Sequence, residues 1–247
     1  MIDLPVSILM LTYNRLEMTK KCLPSALDKI GDFPCEVLIW DNHSTDGTFD
    51  WLVDYGRADC RITKVFESDE NIGMEAINYL AKEATTKYIL KIDDDLELPN
   101  DFVRRIIAAY EELNEEKLLF LSWDMKWMAG KTFATRSGKE PYRDERGFIR
   151  DLSTGEKAYV SKQADFFMVN GACRLSLRSK FLEIGGHPEG IIYGVDKHIS
   201  KRAADHGLWV AFLSGPDLVL HLGTDEDPEY RKFKNEQLKK HDSPMHV

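Results

Sequence analysis

The chain alternates short, unbroken apolar runs with longer stretches in which apolar residues recur every three or four positions. Val6 to Thr12, VSILMLT, is such a run, closed by the polar Tyr13, Asn14 and Arg15. A run of that length without alternation suits a strand covered on both faces. Leu16, Leu23, Leu27 and Ile30 follow at helical spacing, and Gly31 supplies the stop. Cys35 to Trp40, CEVLIW, predicts a second strand with Asp41 just beyond its end. The turn residues DNHSTDGT come next, with Ser44 or Thr45 as cap of a helix carrying Phe49, Leu52 and Val53. RITKVFE predicts a third strand. Asn71-Ile72-Gly73 opens a helix with Ile77, Leu80, Ala81 and Ala84 on one face, and Tyr88 to Ile92 is the fourth strand.

Strands and helices that alternate with short connections predict a parallel, doubly wound α/β sheet with helices on both faces, whose ligands sit beyond the carboxyl ends of the strands. Three polar clusters fall there: TYNR after the first strand, DNHSTDGT after the second, and Asp93-Asp94-Asp95 after the fourth. Phe102, Val103, Ile106, Ile107, Tyr110 and Leu113 mark a further helix, and KLLFLSW a further strand ending at Trp123. From 124 to about 160 the chain is rich in Lys, Arg, Gly and Asp, with Trp127, Phe133, Tyr142, Phe148 and Tyr159 among them. A connection of that length predicts hairpins and loops over the site, ordering as a lid. An α/β pattern resumes from 164 to 222, with a helix from Asp196 to His206 and apolar pieces LWVAFL and DLVLHL. The expected division is one donor-binding half, 1–123, a second half of the same domain, 124–224, and a charged helix or tail, 225–247.

Composition narrows the function classes. Lys plus Arg number 33 against 42 for Asp plus Glu, a net charge of −9, so the chain lacks the basic stripe that neutralises a nucleic-acid backbone. Cys22, Cys35, Cys60 and Cys173 are irregularly spaced with no CxxC pair, which predicts reduced thiols and neither a disulfide frame nor a zinc site. No apolar run approaches the roughly 20 residues needed to span a bilayer, and the N-terminus lacks a basic leader and a cleavage site. These features predict a cytoplasmic protein.

Three consecutive carboxylates repel one another unless a cation sits among them. A strand end running into a turn aims alternate residues at one point, which makes Asp93 and Asp95 the better pair of ligands for a hard divalent ion and leaves Asp94 a hydrogen-bonding part. A solvated acidic turn before the helix near Asn100 would also account for the tripeptide.

ILMLTYNR, IWDNHSTDGT, NIGMEAINYLAKEATTKYILKIDDDLELP and VNGACRLSLRSKFLEIGGHPE, in that order and spacing, resemble the inverting family 2 glycosyltransferases of the GT-A fold over residues 4 to 224. The resemblance implies transfer of one sugar from a nucleotide-diphosphate sugar to a hydroxyl acceptor: a glycan, a lipid-linked sugar or another alcohol. Uridine is the first expected nucleotide, with guanosine and thymidine open. It places Thr12 and Tyr13 at base and ribose, Asp41 as acceptor of a hydrogen bond from the base, and Ser44 nearby. Asn14, Asn71, Gly73 and Asp94 join the nucleotide-sugar site, and Asn170 and Gly171 line the floor of the sugar pocket. Asp93 and Asp95 become the Asp-x-Asp pair holding Mn²⁺ or Mg²⁺, with His221 as third protein ligand; an imidazole favours Mn²⁺. Asp196, in YGVDKHISKR, matches the catalytic base, Ile199 the apolar helix position and Arg202 the basic one. Val195 and His198 replace the family's two flanking acids, so one carboxylate remains to act as base. An N-cap is the alternative part for Asp196, and surface exposure for His198. Trp123 and Asp124 are candidates for the acceptor side.

Three other readings compete. A sugar-phosphate nucleotidyltransferase needs a glycine-rich loop after the first strand, and LTYNRLEMTKK contains no glycine. An isoprenoid synthase carries its acidic motifs on helices, against the strands seen here. A sugar-binding protein that kept the fold and lost catalysis would explain Val195 and His198. Processive synthesis is disfavoured because membrane spans and a Gln-x-x-Arg-Trp motif are lacking.

Overall fold

The computed structural model describes residues 5–127, 146–164, 170–191, 195–223, 232 and 236. Four apolar runs become the parallel strands β1 (Val6–Thr12), β2 (Cys35–Asp41), β3 (Ile62–Glu67) and β4 (Tyr88–Asp93). Helices α1 (Leu16–Ile30), α2 (Thr48–Ala58) and α3 (Ala76–Glu83) connect them. After β5 (Leu96–Glu97) come α4 (Phe102–Leu113), β6 (Leu118–Trp123), β7 (Met125–Trp127), β8 (Gly147–Asp151) and β9 (Lys157–Ser161). The remainder is β10 (Cys173–Leu177), α5 (Arg178–Glu183), α6 (Val195–Asp205), β11 (Trp209–Ser214) and β12 (Val219–His221).

The main sheet has nine strands in the order β3-β2-β1-β4-β10-β6-β11-β9-β8. Strands β9 and β10 run against the others. Alternation decides the two layers: Val6, Ile8 and Met10 of β1 face one core, with Leu23 and Leu27 of α1, Leu52 of α2 and Phe102 and Ile106 of α4. Leu9 and Ile89 face the other, with Ile77 and Leu80 of α3, Phe181 of α5 and Ile199 and Ala203 of α6. Truncating a buried side chain such as Phe102 to alanine would cost about 3–5 kcal/mol. The sheet draws strands from both sides of residue 124, so the two expected halves share one core.

Several local expectations shift. Asp41 and Asp93 are the last residues of β2 and β4 and do not lie beyond them. Helix α2 is capped by Gly47 in the left-handed region, φ 87°, and not by Ser44 or Thr45. Asp46 does the tying instead, accepting the backbone N–H of Thr48 at 3.1 Å and of Leu16, at the start of α1, at 2.9 Å. The helix expected from Asn71 begins as a 3₁₀ turn at Gly73–Glu75, and Ala84 lies past the end of α3. Residues 147–161, expected among the loops over the site, form the antiparallel β8–β9 hairpin at the far edge of the main sheet. Phe133, Tyr142 and the expected C-terminal helix lie outside the described residues, save positions 232 and 236.

Candidate active site

Register brings the site together. Thr12 pairs with Asp41 across β1 and β2, and Leu11 with Asp93 across β1 and β4, so the ends of three strands stand at one level. Because β10 is antiparallel, it begins where its neighbours end, and its approach delivers Asn170 and Gly171 to the same edge. Asp93 donates its backbone N–H to Ala172 O at 2.8 Å, and Ser122 Oγ donates to Asn170 O at 2.8 Å. A separate three-stranded sheet, β5-β12-β7, pairs His221 with Leu96 and thereby lays the imidazole beside Asp95.

Asp93, Asp95 and His221 each offer one ligand atom within 4.8 Å of the others. Asp95 is buried; its Oδ2 accepts Arg15 Nη1 at 2.5 Å, while Oδ1 has no hydrogen-bond partner among the described residues and lies 3.6 Å from His221 Nε2. His221 Nδ1 stands 3.2 Å from Gly223 O, and a proton held there leaves the Nε2 lone pair facing Asp95. Two carboxylates, one of them with an orphaned buried oxygen, and an imidazole fit a divalent cation such as Mn²⁺. Lys91 Nζ contacts Asp93 Oδ1 from within β4. Asp94 is not in that set; it shares Arg15 Nη1 with Asp95, at 3.3 Å, and accepts Thr19 Oγ1 at 3.4 Å. Burial pushes its carboxyl up to about 6, against the pull of Arg15 and with the push of Asp95.

The nucleotide side is built from two interlaced loops. Asn14, at φ 49°, donates its N–H to Ser44 Oγ at 2.8 Å and accepts the Thr45 N–H on its Oδ1 at 2.7 Å. Asp41 is fully buried: Oδ1 accepts the Ser44 N–H at 2.6 Å, and Oδ2 has no hydrogen-bond partner among the described residues. Burial raises its carboxyl, with the Ser44 bonds opposing. Thr12 is buried against Thr19 at 3.2 Å, and Tyr13 is exposed beside them. Asn71 forms a local turn, accepting the Gly73 N–H at 2.9 Å, and Asn42 Nδ2 donates to Gly73 O at 3.1 Å.

On the other side, Asp196 is the second residue of α6, and its Oδ2 accepts the Gly171 N–H at 3.2 Å. A Cβ on Gly171 would overlap the Asp196 carboxylate, so any larger residue there must displace that carboxylate. Burial raises the Asp196 carboxyl, while Arg174 and Lys91 draw it down. Asn170 accepts the Ala172 N–H on Oδ1 at 2.9 Å, and its buried Nδ2 has no hydrogen-bond partner among the described residues. Val195 is buried in the first turn of α6, and His198 is half-buried, not a surface residue. Trp123 and Asp124 are buried and used internally: Trp123 Nε1 donates to Asp217 O at 3.0 Å, and Asp124 accepts Ser214 Oγ at 3.1 Å.

Sequence reasoning passed over Arg15, Lys91, Arg174 and Gly223. Lys91 and Arg174 carried a usable signal, since a charge inside a buried strand demands an opposite charge nearby. Gly223 carried none: a Cβ there would overlap Asp95 Oδ2 and crowd His221, a closeness created only by the folding back of β12.

The family model for glycosyl transferase family 2 matches residues 7–180. Among solved structures, Staphylococcus aureus TarS 1–349 in complex with UDP-GlcNAc is similar at a TM-score of 0.64 and 18% identity, over 90% of this chain and 60% of that one. GalNAc-T7 with UDP, GalNAc and Mn²⁺ gives 0.65 and 16%, over 91% and 45%. The mannosyltransferase PcManGT from Pyrobaculum calidifontis, with GDP-Man and Mn²⁺, gives 0.64 and 16%, over 96% and 63%. The chain thus spans less than two thirds of each of these structures. No curated protein matches it in sequence. Among the described residues no helix is long and apolar enough to cross a membrane. With a match over more than half its length and the sheet described above, the chain belongs to glycosyl transferase family 2 and has the GT-A fold.

Proposed function

We propose that this protein transfers one sugar, with inversion, from a nucleotide-diphosphate sugar, uridine foremost, to an acceptor hydroxyl, with Asp196 as general base. The observation that carries the reading is the meeting, at one sheet edge, of the Asp93–Asp95–His221 donor set with an orphaned Asp95 oxygen and of Asp196 in the first turn of α6. Asp93, Asp95 and His221 would hold the cation, which when bound neutralises charge on the leaving diphosphate. Asp41 Oδ2 accepts an imide N–H of the base, Asn170 and Gly171 border the sugar, and Arg15 holds Asp95 in place. Asp196 takes the proton of the acceptor hydroxyl as its oxygen bonds to the anomeric carbon. The bond from that carbon to the diphosphate breaks on the opposite face, and nucleoside diphosphate leaves. Desolvation raises the Asp196 carboxyl although 40% of its side chain remains exposed, so it is a somewhat stronger base once ionised, and that base form is lost as pH falls through its value.

The test is nucleoside diphosphate release from a panel of UDP-, GDP- and TDP-sugars with Mn²⁺ and a panel of hydroxyl acceptors. Release must depend on Mn²⁺ and must collapse in Asp95→Ala and Asp196→Asn. Turnover that survives Asp196→Asn refutes the base assignment. Donor binding without turnover across the panel would favour a non-catalytic sugar-binding protein, the reading to which Val195 and His198 lend support.

A further inference from the structure

Two cations lie side by side beneath the site. Lys91 of β4 and Arg174 of β10 are register partners, 5% and 3% exposed. A guanidinium does not lose its proton in a protein, so a buried one must find carboxylate or acceptor partners. Lys91 is taken by Asp93. Arg174 lies 4.3 Å over the Phe120 ring, and its Nη2 is 2.9 Å from His187 Nε2. Since Arg174 can only donate, His187 Nε2 accepts, which makes the imidazole neutral with its proton on Nδ1. Burial, and then Arg174, Lys91 and Arg202, hold that imidazole well below its ordinary value, in accord with the neutral form.

The clamp is itself fixed. Asn78 brackets the backbone of His187, accepting its N–H at 2.7 Å and donating to its carbonyl at 2.9 Å, and the ring packs edge-on against Phe181 at 5.7 Å. With Nη2 thus held, Nη1 has no hydrogen-bond partner among the described residues and stands 3.8 Å from Asp196 Oδ1. That separation is an ion pair and not a hydrogen bond, so Asp196 keeps a lone pair for an incoming proton while its direction is set from below.

We propose that Arg174, clamped by His187, is the positioning residue of Asp196, holding its carboxylate in place for the acceptor. The proposal rests on the reading of Asp196 as base. The groups that face Asp196 are Arg174 from β10, Lys91 and Asp93 from β4 and the Gly171 N–H; Lys197 and His198 adjoin it on its own helix. Arg174 is the first of the two cations that oppose the effect of burial on it.

The carboxyl ¹³C shift of Asp196, assigned by its loss in Asp196→Asn, would be followed through pH in the full metal-free chain. In Arg174→Met the midpoint moves to higher pH; in Arg174→Lys it moves less. An unmoved midpoint in whichever of the two variants folds overturns the proposal. With a donor that turns over in the panel and Mn²⁺, Arg174→Met lowers kcat about 10- to 100-fold at constant donor KM, and Arg174→Lys recovers part of it. Loss of kcat without a moved midpoint marks a merely structural role and also overturns it. If Asp196→Asn retains full turnover while the midpoint moves, the base reading fails and the Arg174 contact stands.

Discussion

Asp41→Asn separates what a buried carboxylate does for the ligand from what it does to the fold. Asp41 is fully buried and half satisfied: one oxygen accepts the Ser44 N–H at 2.6 Å, the other has no hydrogen-bond partner among the described residues. A hydrogen bond to a charged group contributes about 1.5–3 kcal/mol, so its loss weakens UDP binding about 10- to 150-fold. The same change removes a desolvated charge. Because burial raises the Asp41 carboxyl, the native state holds its proton longer than the unfolded chain does. Stability from that group is present at low pH and is lost as pH rises from the ordinary carboxylate range through the raised value. The melting temperature of metal-free Asp41→Asn should therefore exceed that of the unmodified protein, by a margin that widens from pH 4 to pH 8. Titration calorimetry of UDP and CDP with Mn²⁺ reads the first effect. Cytosine has no N3–H to give, so preference for UDP over CDP should shrink in the variant. Unchanged UDP affinity, with a folded variant, would refute the placing of the base at Asp41.

Other perturbations follow from contacts the fold creates. Gly171→Ala puts a methyl into the Asp196 carboxylate; kcat should fall about 100-fold while UDP affinity by calorimetry stays within a few-fold. Gly223→Ala crowds Asp95 and His221, and Mn²⁺ affinity measured by electron paramagnetic resonance should fall about 10-fold or more. Lys91→Met strips Asp93 of its internal cation: the metal-free protein should lose about 1–3 kcal/mol in urea unfolding, and Mn²⁺ should restore more stability than in the unmodified chain.

The alternation of VSILMLT, CEVLIW, RITKVFE and YILKI with helical segments was enough to predict β1 to β4, α1 to α3 and a shared edge carrying Asp41, Asp93 and Asp95, because strand and helix periods are written within a dozen residues. The functional expectation for Asp196 and His221 came from the family resemblance and not from local pattern. What each polar residue does at the edge was decided by register across the chain. Arg15 reaches Asp95 across 80 positions, β10 runs antiparallel so that Asn170 and Gly171 enter from its start, and a two-residue strand draws His221 to Asp95. Lys91 and Arg174 lie in apolar strands far apart in sequence, and only the pairing of β4 with β10 sets them side by side and shares them out to Asp93 and Asp196. Periodicity reports which face of an element is buried; the partner of a buried charge depends on which strand lies beside it, and only the folded sheet determines that.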